Sequence, residues 1–138
     1  AAMLAKDGKV FAVEKEKERV IHIEKNKNKF KIYNLEIIRK KAPDGLRNLP
    51  APDAVFIGGG GKDVSKILEV CSKRIKRYGR IVVNAITIET LAAAAHFFEA
   101  SGWDMETVSV NIAKTKDVAY SHLFNAHNPV FIIVGEKP

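Results

Sequence analysis

The chain is poor in cysteine and in aromatic side chains and has no long apolar run, and each shortage closes off a class of protein. One cysteine, Cys71, in 138 residues excludes an internal disulfide and a cysteine-based metal site, and fits a reducing, cytoplasmic compartment. No apolar stretch reaches the roughly twenty residues that cross a bilayer, and Ala1-Ala2-Met3-Leu4-Ala5-Lys6-Asp7 lacks the layout of a secretory signal. His22, His96, His122 and His127 show neither metalloprotease nor zinc-finger spacing, and there is no Ser-centred nucleophile elbow. The sequence therefore points to no metal and no covalent nucleophile. Acidic groups are also scarce: 16 Asp and Glu face 23 Lys and Arg, for a net charge of +7. Residues 1–50 carry 13 basic and 7 acidic groups, +6, and residues 51–138 carry 10 and 9, +1. A solvated Lys/Glu-rich helix face and a patch for an acidic partner, nucleic acid or a small polycarboxylate, both account for that bias.

What is present suits one soluble globular domain over residues 1–138, with 46% hydrophobic and 28% charged residues. Val10 to Val13 is a short apolar run between Asp7-Gly8 and Glu14-Lys15-Glu16, a buried strand. Glu16 to Phe30 carries Val20, Ile23 and Phe30 on one helical stripe. Leu35 to Ile38 and Ala54 to Ile57 are further strands. Val64, Ile67, Leu68, Cys71 and Ile75 repeat with helical period behind Asp63, a suitable N-cap. Gly79 stops that helix, and Arg80 to Ala85 is a fourth strand. Ile88, Leu91, Ala92, Ala95 and Phe98 form the stripe of a helix capped by Thr87 and ended by Ser101-Gly102. Glu106 to Ile112 alternates as a half-buried strand, and Val130 to Val134 is the last, after a long loop holding His122 and His127. Alternating strands and helices predict an α/β fold: a mostly parallel sheet with helices on both faces, closed by an antiparallel edge.

In such sheets ligands bind beyond the carboxyl ends of the strands. Glu14 stands there, either as acceptor for the ribose hydroxyls of a nucleoside or as a first-turn acid favouring the helix dipole. Gly58-Gly59-Gly60-Gly61 follows the third strand and precedes a helix, either lining a ligand or forming a plain turn. A phosphate-binding P-loop is excluded: Phe56 stands where its first glycine belongs, and Asp63 follows Lys62 where Ser or Thr is needed. Asn84 and Thr87, with Glu89, lie at the exit of the fourth strand, to face an acceptor substrate or, for Thr87, to cap a helix.

Val10-Phe11-Ala12-Val13-Glu14, Ala42-Pro43-Asp44-Gly45-Leu46, Pro52-Asp53-Ala54-Val55-Phe56-Ile57-Gly58-Gly59, Gly79 to Thr87 and Asn128-Pro129-Val130-Phe131 occur in this order. Together they resemble the decarboxylating precorrin methyltransferases of the CbiT type, found also as the C-terminal part of CobL-type proteins. The Pro52 to Gly59 stretch is the more specific; the Glu14 and strand signals are shared by methyltransferases at large. The resemblance covers essentially the whole chain. It implies a Rossmann-like class I fold and transfer of a methyl group from S-adenosylmethionine to the C15 carbon of a precorrin or cobalt-precorrin, with decarboxylation of an acetate side chain, in cobalamin biosynthesis.

By the same resemblance Glu14 holds the ribose and Ala42 lines the adenine pocket. Lys15, Pro43, Gly58 and Gly59 are the further cofactor contacts, and Gly60, Gly61, Asn84 and Thr87 border the tetrapyrrole. No catalytic residue is named by it. The family's glycine-rich loop after its first strand is absent, so a strand and that loop are expected to precede Ala1. Lys40-Lys41 stands where the family has Gly-Asp. A multi-carboxylate macrocycle suits a basic rim, which Lys62 and Lys114-Thr115-Lys116 supply. A homo-oligomer with no membrane or nucleic-acid partner is expected. A tRNA-type methyltransferase on the same fold and a cofactor-less binding module are the alternatives.

Overall fold

The computed structural model describes residues 2, 3, 5, 7–59 and 61–138. They divide into two compact units, residues 1–50 and 51–138.

The first unit is a β-α-β element. β1 (Val10–Val13) and β2 (Leu35–Ile38) pair in parallel, Val10 opposite Leu35 and Val13 opposite Ile38, and α1 (Lys17–Lys29) connects them. Parallel neighbours need such a crossover because a tight turn reverses the chain. The helix begins after Glu16 and ends at Phe30. Val20 and Ile23 are half-buried. Phe30, expected on the same stripe, is 52% exposed, because it is the C-cap, where the helical period has ended. Lys27 Nζ donates to the Leu35 carbonyl at 2.6 Å, covering part of the β2 edge with a charge. The Asn34 amide donates to the carbonyls of Ala2 (3.0 Å), Ala5 (2.7 Å) and Gly8 (3.0 Å), fastening the segment before β1 to the turn before β2.

The second unit is a four-stranded sheet of β3 (Ala54–Ile57), β4 (Arg80–Ala85), β5 (Asp104–Val110) and β8 (Val130–Glu136), in the order β3-β4-β8-β5. β3 and β4 are parallel, and β8 runs antiparallel to both β4 and β5, so three strands point one way and one is reversed. The reversed strand is not at the edge: β8 inserts between β4 and β5, leaving β5 outermost. That explains why β5, expected as half-buried, is exposed along nearly all its length.

Between β3 and β4 runs α2 (Val64–Arg74), and between β4 and β5 runs α3 (Ile88–Ala100). All five residues of the expected α2 stripe are buried, Ile75 at the C-cap position. The α3 stripe lies differently from expectation: Ala94 and Phe98 are buried, while Ile88 is 80% exposed, since the helix touches the sheet through its later turns. Ile57, Val83 and Ile133 are neighbours in register and all buried, as are Ile81 and Ala85 on the same side of β4. Phe98 lies against Gly135 of β8, where an added Cβ would collide with its ring, and stacks on Trp103 with ring centres 5.6 Å apart. On the opposite face Val82, Asn84, Ile132 and Val134 are half-buried and Phe56 is 67% exposed. Within this unit the helices therefore serve one face, not both.

The stretch expected as a long loop before the last strand is a hairpin, β6 (Ala113–Val118) with β7 (Ser121–Ala126). His122 is in β7, and His127 follows it.

Candidate functional site

In the first unit the site is built at the carboxyl ends of β1 and β2. The Glu14 amide donates to the Ile38 carbonyl at 3.1 Å, carrying the pairing one residue past β1. The Glu14 side chain then turns toward the start of α1: Oε1 accepts the Glu16 N–H at 2.9 Å, and Oε2 lies 3.7 Å from Arg19 Nη1. The Glu14 side chain is 21% exposed, against 72% for that of Arg19. Glu14 thus performs the helix-start role, since it satisfies an N–H that has no partner within α1. One bond leaves acceptor capacity in hand, because an ionised carboxylate offers about four lone-pair sites. Lys15 is exposed, with its Nζ 3.3 Å from the Glu16 carboxylate.

The loop after β2 folds back over the two strand ends. Successive turns join Asp44 N–H to the Lys41 carbonyl at 3.0 Å and Leu46 N–H to the Pro43 carbonyl at 2.9 Å; the Ala42-Pro43 peptide is cis, and both residues are half-buried. Gly45 is buried, and a Cβ there would stand 2.8 Å from Val13 Cγ1 and 3.1 Å from Lys40 Cβ. Glycine is needed for this close approach. It brings Gly45 onto Val13, the last residue of β1. In the sequence Gly45 is marked only by the turn signal Pro43-Asp44-Gly45.

In the second unit the register sets the corresponding edge. Ile57 is level with Val83, Ala85 with Phe131 and Val110 with Val130. The carboxyl ends of β3, β4 and β5 and the start of β8 therefore share one edge. Gly58 and Gly59 leave β3 there, exposed. A Cβ on Gly59 would meet nothing within 4 Å, and its backbone is not left-handed, whereas Gly61 has φ +47°. Gly61 thus answers a conformational need as it opens the 3-10 turn Gly61–Asp63 before α2. Gly59 answers neither conformation nor internal packing, which leaves clearance for something outside the chain. Gly60 lies outside the described residues.

Asn84 is half-buried on the face away from Val83 and Ala85. Thr87 caps α3, its Oγ1 accepting the Thr90 N–H at 3.2 Å. Asp63 holds the N-cap position of α2, although its side chain makes no capping hydrogen bond there. Exposed Ile86 and Ile88 flank Thr87, an apolar pair that sequence reasoning assigned to no site. The cysteine is not part of this edge: burial pushes the Cys71 thiol up to about 11, outweighing the lowering by Arg74, and holds it as an unreactive thiol in the α2 core.

Each unit, taken by itself, offers a feature that suits part of S-adenosylmethionine. A half-buried carboxylate with spare acceptor capacity suits two vicinal hydroxyls, and an open glycine at a strand end suits close approach of a ligand. Among the described residues no group of three His, Cys, Asp or Glu side chains is placed to hold a metal ion, and no helix is long and apolar enough to cross a membrane.

Comparison with known proteins identifies the family and the fold. The Sulfurisphaera tokodaii protein named probable cobalt-precorrin-6B C(15)-methyltransferase (decarboxylating) is 37% identical over 137 residues, covering 99% of this chain and 71% of that one. A precorrin-6y C5,15-methyltransferase structure from Geobacter metallireducens superposes with a TM-score of 0.85 at 41% identity, over 94% of this chain and 69% of that one. A precorrin 8W decarboxylase from Methanobacterium thermoautotrophicum gives 0.83 at 27% identity, over 92% and 69%. The fold is the Rossmann-like α/β fold of S-adenosylmethionine-dependent methyltransferases, which a solved O-methyltransferase from Thermotoga maritima also has, with a TM-score of 0.74. The precorrin methyltransferase domain model matches residues 2–137, across both units, and with these relatives it establishes that the chain belongs to the precorrin methyltransferase family.

Proposed function

We propose that this protein methylates the C15 carbon of a precorrin or cobalt-precorrin at the expense of S-adenosylmethionine and releases carbon dioxide from an acetate side chain, in cobalamin biosynthesis. The observation that carries this reading is the continuity of the family match over residues 2–137, alongside relatives bearing that activity in their names. The same continuity supports treating the two units as one methyltransferase domain.

Glu14 receives the ribose hydroxyls, with Lys15 at its rim, while Ala42 and Pro43 line the adenine side. Gly58 and Gly59 give the methionine portion room, and Gly60, Gly61, Asn84 and Thr87 border the acceptor. The bound methylsulfonium supplies both the methyl group and its own leaving group. The chain's task is therefore to hold the reacting carbon in line and keep water away, which is catalysis by orientation. Glu14 is suited to holding because its Glu16 hydrogen bond and β1 register fix the carboxylate before ligand arrives. Asn84 sits on a strand rather than a loop, a rigid base for contact with the acceptor.

A homo-oligomer belongs to this reading, supported by the exposure of Tyr120 and Phe124 on the β6–β7 hairpin. So do a cytoplasmic location and the absence of a nucleic-acid partner, supported by the free buried Cys71 and by a basic excess of which α1 carries +3 with no aromatic residue interleaved. Incubation with S-adenosylmethionine and cobalt-precorrin-6B should yield a product heavier by one methylene and lighter by one carbon dioxide in mass spectrometry. An unchanged acceptor together with methylation of tRNA would overturn the reading.

A further inference from the structure

The β6–β7 hairpin serves no part of the core. All twelve of its strand residues are exposed, and a lone two-stranded hairpin is only marginally stable in water. It is nevertheless sharply defined: Val118 pairs with Ser121 across a two-residue turn in which Ala119 takes φ +52°, the positive angle that tight hairpins require. Its root is fixed too. The His127 N–H donates to the Ile112 carbonyl at 2.8 Å, one step below the Ala113–Ala126 pair, and Val110 pairs with Val130 below that. The hairpin therefore rises from the edge of the sheet that carries Gly58, Gly59, Asn84 and the exposed Ile86-Thr87-Ile88 segment.

Its two faces differ in chemistry. Strand alternation puts Lys114 and Lys116 on one face, with Asn125 and Leu123 directly across from them. The hairpin's acid, Asp117, projects to the other face and lies 3.3 Å from His122 Nε2. Neither lysine has an acidic partner among the described residues. Two uncompensated lysines on backbone positions about 7 Å apart along one strand, with exposed Leu123 directly across from Lys116, match a partner that is apolar in its middle and anionic at its periphery.

We propose that the β6–β7 hairpin is the acceptor-binding arm of the enzyme, Lys114 and Lys116 pairing with peripheral carboxylates of the macrocycle and Leu123 packing against its apolar body. This rests on the methyltransferase reading above and adds the element and side chains that select a polycarboxylate tetrapyrrole.

The test is a fluorescence titration of the full chain with uroporphyrin, a polycarboxylate porphyrin, comparing wild type with Lys114→Gln/Lys116→Gln. Lys66→Gln/Lys73→Gln, on the exposed side of α2, removes the same charge elsewhere. Loss of two exposed ion pairs should weaken uroporphyrin binding about threefold to thirtyfold. The α2 variant should bind like wild type, and both should melt like wild type because neither site touches the core. Retained affinity in the hairpin variant, an equal loss in the α2 variant, or no uroporphyrin binding by wild type would each overturn the proposal. So would a hairpin variant that changes only self-association or tRNA binding. The two readings fail separately. Reduced porphyrin affinity without any C-methylated product counts against the reaction alone, and normal product with unaltered affinity counts against the arm alone.

Discussion

Glu14 offers the sharpest test of the site, because its carboxylate has one structural bond and one proposed ligand role that two substitutions separate. Glu14→Gln keeps an Oε1 able to accept the Glu16 N–H, now 2.9 Å away, but replaces the second oxygen by a donor and removes the charge. Glu14→Ala removes both functions. The start of α1 should therefore be nearly unaffected in the Gln variant. In the Ala variant it should lose one net hydrogen bond, about 0.5–1.5 kcal/mol, a fall of roughly 2–7 °C in Tm for a chain of this size. Binding behaves otherwise. Both variants lose a charged acceptor for the ribose hydroxyls, worth about 1–3 kcal/mol, or roughly 5- to 150-fold in Kd. Isothermal calorimetry with S-adenosylmethionine, paired with thermal melts followed by circular dichroism, reads the two effects independently. A Gln variant with wild-type affinity beside an Ala variant that is merely less stable would refute the reasoning and reduce Glu14 to a helix-start residue.

Three further outcomes follow from the packing. Gly59→Val should melt like wild type, since a side chain there meets nothing within 4 Å, yet bind S-adenosylmethionine far more weakly; normal affinity by calorimetry would make this glycine a plain turn. Gly135→Ala should cost about 1–3 kcal/mol in urea unfolding, because its methyl would collide with the Phe98 ring, and a second change, Phe98→Leu, should recover part of that loss; an undiminished single variant would mean the ring has room to move. Burial raises the Cys71 thiol from 9.0 to about 11, so the folded state holds its proton longer than the unfolded one. That contribution is complete below pH 9 and is lost as pH rises toward 11. Unfolding at alkaline pH should then show a steeper decline for wild type than for Cys71→Ala, and parallel declines would dismiss the effect.

What the sequence determined by itself was wherever the code is local. β1, β2, β3 and β4 begin and end where short, mostly apolar runs meet charge, glycine or proline, because the residues flanking a strand must leave the sheet; that β1, read as buried, is only half-buried was decided by the tertiary structure. The α2 stripe was legible since every turn of that helix is buried, and the Thr87 cap since a hydroxyl before an apolar period has one common use. Only tertiary structure decided the rest. Insertion of β8 between β4 and β5 is a matter of long-range register, which no local pattern encodes. It also explains the exposed β5. The β6–β7 hairpin escaped reading because both its faces meet solvent, so no period-2 contrast between apolar and polar residues was written into it. Clearance at Gly59 and the need for glycine at Gly45 and Gly135 are facts about neighbouring atoms, Val13 and Phe98 among them, that lie far away along the chain. Glu14 shows the boundary most plainly: its place at a strand end was readable, but which N–H its carboxylate accepts depended on how α1 sets off from that strand.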